Sequence, residues 1–146
     1  MNTQRKNFNG RQHGFTLIEI MVVVIIIGLL STMVAPRIFE NRDKALVVKA
    51  KSDVSGMGSA LDLYRLDNFN YPNTSEGLQA LVTNPGKPNW TGYLNKLQDD
   101  PWGNKYQYQQ PGTHNPNGYD LWSLGADGAP GGEGFNADIG NWDEAK

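Results

Sequence analysis

Residues 15–35 read FTLIEIMVVVIIIGLLSTMVA, with Glu19 as the only charge. As a helix rising 1.5 Å per residue, the run would be about 32 Å long, near the roughly 30 Å of a bilayer's hydrocarbon core. Val and Ile dominate 22–27, so sheet strands or a buried core helix are the competing readings. Core strands are shorter than this, and a chain of 146 residues has too little other sequence to wrap an apolar rod of that length. The run is expected to be a membrane-spanning helix.

Upstream, Arg5, Lys6 and Arg11 precede the run, and no acid occurs before Glu19. A positive leader ahead of an apolar helix predicts a cytoplasmic N-terminus and an exported C-terminal part. A secretory signal would share that leader, and Ser31 to Ala35 loosely imitates its cleavage site, but the length of the run favours retention. Glu19 is costly in lipid unless it finds a partner or reaches the headgroups. It lies one helical turn after Phe15. A cut between Gly14 and Phe15 would place a new α-ammonium beside that carboxylate.

Downstream, Pro36 removes a backbone hydrogen bond and predicts a kink or local melting point. The helical pattern resumes beyond it. Leu46, Ala50, Val54, Met57, Leu61 and Tyr64 form an apolar stripe, with Arg42, Lys49, Asp53 and Asp62 largely off it. The expectation is one interrupted helix from about Phe15 to Asp67, its second stripe covered by the remaining chain. Gly56 and Gly58 lower helix propensity and leave room for a strand or a neighbouring subunit.

From Asn68 the pattern changes. Asn70-Tyr71-Pro72-Asn73 ends the helix, and Ser75 is expected to cap a short helix that turns Leu78, Leu81 and Val82 inward. Residues 84–88 and Asp100-Pro101-Trp102-Gly103 read as a loop and a turn. Lys105–Gln109 and Tyr119–Leu124 read as strands of an antiparallel pair or small meander laid on the stripe. Trp90, Trp102, Trp122 and Trp142 are expected to enlarge the core rather than to act as carbohydrate platforms.

Residues 67–146 hold ten acids against four lysines, and the last acids stand among glycines from Gly125 to Asp138. Glycine-rich turns can direct main-chain carbonyls inward, and Asp127, Glu133 and Asp138 add carboxylates, an oxygen set that suits calcium. The spacing is not that of an EF-hand. A solvated loop that binds no ion stays open on composition alone. The segment lacks a phosphate-binding lysine, and its acids would repel phosphate. Zero Cys excludes a disulfide scaffold and thiolate chemistry, and a net charge of −2 offers no basic face for nucleic acid. His13 and His114 are isolated, and Ser75, Ser123 and the acids form no readable triad. Nothing here supports an enzyme.

Gly14-Phe15-Thr16-Leu17-Ile18-Glu19 ahead of the apolar run resembles the class III signal of type IV pilin-like proteins. Arg37, Tyr71-Pro72, Glu76-Gly77-Leu78, Asp100-Pro101-Trp102-Gly103, Leu124-Gly125-Ala126-Asp127-Gly128 and Asp138-Ile139-Gly140-Asn141-Trp142 resemble the major pseudopilins of bacterial type II secretion systems. The resemblance implies an α+β fold: a long N-terminal helix, transmembrane then amphipathic, against a small antiparallel sheet, with a C-terminal ion-binding loop. It divides the chain into a cytoplasmic leader (1–14), a transmembrane and filament-core helix (15–35), an amphipathic helix (36–69) and a periplasmic sheet domain (70–146).

The same resemblance implies cleavage between Gly14 and Phe15 by a prepilin peptidase, N-methylation of Phe15, and a role for Glu19 in assembly. Asp127 and Asp138 carry over as calcium ligands through their side chains, and Leu124 through its carbonyl. Glu133 is a candidate only, and Ala137 stands where other members have an acid. The implied partners are further copies in a helical filament, minor pseudopilins and the inner-membrane assembly platform, with no nucleic acid. The implied place is the inner membrane and then the periplasmic pseudopilus. A minor pseudopilin, a type IV pilin subunit and a membrane-anchored periplasmic calcium-binding domain are the alternatives.

Overall fold

A computed structural model of the chain describes residues 14–143, of which 33–40 as backbone alone. The expected leader, residues 1–14, therefore lies outside the described residues apart from Gly14. The chain divides into two compact units between Phe39 and Glu40.

One helix, α1, runs from Leu17 to Asn68. The expected interruption at Pro36 is not an end of α1: the assignment is helical on both sides of it. In the first unit every large apolar side chain from Phe15 to Leu30 is exposed, Phe15 by 84% and Leu29 by 66%. Hydroxyls in this stretch turn back on their own helix: Ser31 Oγ donates to the Ile27 carbonyl at 2.7 Å and Thr32 Oγ1 to the Leu29 carbonyl at 2.7 Å. Among the described residues no helix is long and apolar enough to cross a membrane.

In the second unit the apolar stripe of α1 becomes the core, as its spacing predicts. Ala50, Val54, Met57, Leu61 and Tyr64 are buried, joined by Ala60, while Leu46 at the upper end is half-buried. Full burial of a side chain such as Leu61 contributes about 1.5–3 kcal/mol. The stripe packs against Leu78, Ala80, Leu81, Tyr106 and Leu121 from the rest of the chain. Gly58 lies on its flank, where a Cβ would stand 3.1 Å from the Tyr119 hydroxyl, so this glycine admits a close approach from the sheet side. Gly56 faces open space.

α1 ends with Asn68 Nδ2 donating to the Tyr64 carbonyl at 3.0 Å, and Phe69 then takes a left-handed φ of +66°. The next segment departs from expectation. Ser75 caps nothing, because Leu78–Leu81 form a single 3-10 turn entered from Gly77. Ser75 Oγ instead donates to Asn73 Oδ1 at 2.5 Å. The Asn73 side chain accepts from Glu76 N at 2.8 Å, and Glu76 Oε2 accepts from Asn73 N at 3.0 Å, a reciprocal clasp that sets the turn. Four residues are too few for an α-helical turn to repeat, so the tighter form wins. Leu78 and Leu81 still point inward, with Val82 half-buried.

Three strands form the sheet in the order β1 (Gln107–Gln109), β2 (Asp120–Ser123), β3 (Ile139–Gly140), all antiparallel. Gln107 faces Trp122 across the first pair, and Ser123 faces Ile139 across the second. The strand β3 is unforeseen in the sequence: two residues carry no readable alternation. Tyr106 and Leu121 turn to the helix and are buried, whereas Gln109 faces out.

The tryptophans correct another expectation. None of the four is buried, and only Trp90 packs against the core, donating its Nε1 to the Ala80 carbonyl at 2.7 Å. Trp122 and Trp142 lie 5.9 Å apart with His114 stacked 3.9 Å from Trp142. Tyrosines do the work instead. Tyr64 and Tyr93 form one ring pair at 5.3 Å, and Tyr119 contacts both Tyr71 at 4.7 Å and Tyr108 at 5.8 Å. The Tyr93 hydroxyl donates to Asp67 and the Tyr108 hydroxyl to the Pro72 carbonyl, while the buried Tyr64 hydroxyl has no hydrogen-bond partner.

Candidate functional site

The helix start is set by Gly14, Thr16 and Glu19. Gly14 is exposed, with nothing near the place a side chain would occupy. Thr16 then caps α1: its Oγ1 accepts from Glu19 N at 3.3 Å, and Glu19 Oε2 accepts from Thr16 N at 2.9 Å and Thr16 Oγ1 at 3.1 Å. This is a capping box, and Thr16-x-x-Glu19 is its sequence signature, a signal that the reading of Glu19 as an isolated anomaly missed. The helix dipole favours a carboxylate in this first turn. Glu19 is thus folded back to the backbone of the residue that follows Phe15.

In the terminal loop the acidic residues separate. Asp138 Oδ2 accepts from Gly131 N at 3.0 Å, while its Oδ1 is buried with no hydrogen-bond partner. Asp127 is exposed, with Oδ1 accepting from Ala129 N at 3.1 Å. Glu133 is exposed and leads into a 3-10 turn, Gly134–Asn136, without capping it. Asp138 and Leu124 line one cleft of about 290 Å³ on the outer side of the sheet; Asp127 and Glu133 do not line it. Among the described residues no three His, Asp or Glu side chains gather closely enough to hold a metal between them.

Backbone geometry closes this loop on itself. Ala126 N donates to the Phe135 carbonyl at 3.0 Å, and Asp138 N to the Gly131 carbonyl at 3.1 Å. Gly125 takes φ +70°, and a Cβ there would meet the Ala137 carbonyl at 2.8 Å, so no other residue fits without a shift.

Two buried carboxylates that sequence reasoning passed over hold the loop's approach in place. Asp100, 4% exposed, accepts from Trp102 N and Asn104 N through Oδ1, and its Oδ2 accepts from Ser123 Oγ at 2.5 Å. Ser123 Oγ in turn accepts from Gly125 N at 3.1 Å, which ties the 100–104 turn to the exit of β2. Asp120, 2% exposed, accepts from the backbone N–H groups of Thr113, His114 and Asn115 at 2.7 to 3.0 Å. Burial works to raise its pKa, but these donors and the His114 ring outweigh it, so the carboxyl stays below the usual aspartate range. Asp in a turn ahead of Pro, and Asp at a strand start, are the available but unspecific signals. Tyr106 marks the opposite case. Burial and the Asp53 carboxylate, which accepts its hydroxyl at 3.0 Å, hold the phenol well above the ordinary tyrosine range.

The family model described as type II secretion system (T2SS), protein G, matches residues 37–142, and that of the prokaryotic N-terminal methylation motif matches residues 9–35. A "Type II secretion system core protein G" of Pseudomonas aeruginosa is 56% identical, over 91% of this chain and 96% of the relative. One of the same description from Vibrio cholerae is 50% identical, over 90% of this chain and 92% of the relative. The crystal structure of the major pseudopilin from the type 2 secretion system of enterohaemorrhagic Escherichia coli superposes with a TM-score of 0.61 at 43% identity. That match covers 72% of this chain and 93% of the other. With an N-terminal methylation motif at the helix start and a helix packed on a three-stranded antiparallel sheet, this chain belongs to the type II secretion system protein G family, the major pseudopilins.

Proposed function

We propose that the chain is the major structural subunit of a periplasmic pseudopilus, which polymerises from the inner membrane and drives folded proteins through an outer-membrane secretin. One observation carries the reading: from Phe15 to Leu30 the helix buries none of its large apolar side chains within its own chain. Water would penalise that surface by about 25 cal/mol per Å². Two environments relieve it, lipid before assembly and other copies of the same helix after it.

In this reading residues 15–35 span the inner membrane, and the leader is cut between Gly14 and Phe15 by a prepilin peptidase that also methylates the new amine. The support is the sequence of the run, its cationic leader and the open backbone around Gly14. The cut places an α-ammonium one residue from the Thr16 N–H that already binds Glu19. Glu19 then neutralises an amine that a neighbouring subunit would otherwise bury. Minor pseudopilins and an inner-membrane assembly platform are the remaining partners.

Calcium belongs to the same proposal. Its ligands are the Leu124 carbonyl, Asp127 and Asp138, with Glu133 a further candidate. The buried, unpartnered Oδ1 of Asp138 supports a cation there, and calcium accepts the mixed carbonyl and carboxylate oxygens of a glycine-rich loop. The ion would offset the carboxylates' repulsion and tie the terminal loop to the sheet.

The test is the mature protein. Mass spectrometry of its N-terminal peptide is expected to show a methylated Phe15, and imaging is expected to find this chain as the bulk component of a filament. An N-terminus elsewhere, or a filament in which the chain is scarce, would refute the assignment to the major subunit.

A further inference from the structure

The chain has two Asn-Gly steps, Asn9-Gly10 in the expected leader and Asn117-Gly118 in the connection from β1 to β2. Nothing in the proposed function uses the second. Asn117 is exposed, and its side-chain amide has no partner among the described residues. Other asparagines around the sheet differ: Asn104 Nδ2 donates to the Gly125 carbonyl, and Asn115 and Asn141 both donate to the Tyr119 carbonyl. Beyond the free carboxamide stands a glycine, whose backbone nitrogen no Cβ shields. Even a Cβ built at Gly118 would meet nothing closer than the Asn115 carbonyl at 4.0 Å.

The turn itself restrains the pair. Asn115-Pro116-Asn117-Gly118 has the residue order of a type I turn, and Gly118 N donates to the Asn115 carbonyl at 2.9 Å. That bond occupies the nitrogen that would have to attack the Asn117 carboxamide. Asn115 is anchored in turn: Asp120 Oδ1 accepts from its backbone N at 3.0 Å and from its side-chain amide at 3.1 Å. The base of the turn is thus pinned to a buried carboxylate, while Pro116 and Asn117 at its tip are exposed. A tip of this kind opens locally while the core stays folded.

We infer that Asn117 is a site of spontaneous deamidation in the folded chain, gated by the hydrogen bond from Gly118 N to the Asn115 carbonyl that Asp120 holds in place. When the turn opens, Gly118 N bonds to Asn117 Cγ, the Cγ–Nδ2 bond breaks, and Nδ2 leaves as ammonia with the proton from Gly118 N. Water then opens the cyclic imide. Attack at Cγ gives aspartate, and attack at the main-chain carbonyl gives isoaspartate, with the backbone rerouted through Cγ. No reactant but water is needed, so the product accumulates with time. It carries a new negative charge three residues before Asp120 and, as isoaspartate, an extra methylene in the backbone of the turn. Thr113, His114 and Asp120 line the outer cleft together with Leu124 and Asp138, so the change falls on a wall of that cleft.

The test follows the purified full chain in warm, mildly alkaline buffer by peptide mapping and mass spectrometry, beside a synthetic peptide of residues 111–121. In the full chain, position 117 is expected to convert to aspartate and isoaspartate ahead of every other asparagine beyond the leader. The gate is expected to hold its rate about tenfold or more below that of the peptide. Asp120→Ala should recover about tenfold of that difference, whereas Leu61→Ala, which weakens the core away from the turn, should leave the rate as it is. Pro116→Ala loosens the tip without touching Asp120 and should also raise the rate, which keeps the test open where Asp120→Ala fails to fold. Absence of conversion at position 117 in the full chain while other asparagines convert would overturn the site. Equal rates in chain and peptide, or equal acceleration by Leu61→Ala and Asp120→Ala, would overturn the gate.

Discussion

Replacing Asp120 by Ala tests whether the sheet domain depends on a carboxylate that the outer loop wraps. Asp120 accepts three consecutive backbone N–H groups, from Thr113, His114 and Asn115, and also the Asn115 side-chain amide at 3.1 Å. Removing the acceptor strands those donors, each at about 1–3 kcal/mol when it stays buried. Thr113 and His114 are themselves exposed, so water can reach part of the loop and the low end of that range applies. The expected loss is about 3 kcal/mol in all, which for a domain of this size lowers the melting temperature by roughly 12 °C. A fragment beginning at residue 40 keeps the whole core and serves for thermal melts followed by circular dichroism. The sign of the pH effect is fixed by the lowered pKa of Asp120. Its contribution is fully present above the unfolded aspartate value near 4 and is lost as pH falls through the lower folded value. Asp120→Asn should therefore flatten the acid limb of the stability profile below about pH 4. A melting temperature within about 2 °C of the parent, with an unchanged acid limb, would refute the reasoning.

Leu61→Ala removes a fully buried side chain at the centre of the helix stripe and should cost about 3 kcal/mol in urea unfolding, with the slope unchanged. Gly125→Ala should cost at least about 2 kcal/mol by the same assay, because the left-handed backbone and the Ala137 carbonyl both oppose a Cβ. Asp138→Ala should abolish the calcorimetric heat of calcium binding and the rise in melting temperature that calcium gives; a parent fragment with neither response would remove the ion from the proposal. Glu19→Ala should still be cleaved before Phe15 yet incorporate poorly into filaments, as read from sheared-filament yield, and normal yield would reject the assembly role.

The α1 stripe was legible because period 3.6 is a local property: Ala50, Val54, Met57, Leu61 and Tyr64 face one way wherever the helix lies, and something had to cover them. The helical form of the apolar run was legible for the same reason, since its length and its single charge, Glu19, are read without a tertiary partner. The turn at Asp100-Pro101-Trp102-Gly103 announced itself through its residue types, and the motif from Gly14 to Glu19 through its spacing. Tertiary structure decided what composition leaves degenerate. It made β3 out of two residues, because a strand that short exists only by pairing with β2. It left Trp122 and Trp142 outside the core and brought Tyr64 and Tyr106 into it, since the room between helix and sheet is set by shape. It also sorted the acids: Asp100 and Asp120 are buried acceptors, Asp138 is half enclosed with one oxygen unpartnered, and Asp127 and Glu133 face solvent. A carboxylate's role depends on which donors the folded chain aims at it, and residues 7 or 23 positions apart, as Thr113 and Asp120 or Asp100 and Ser123 are, acquire that relation only when the backbone closes.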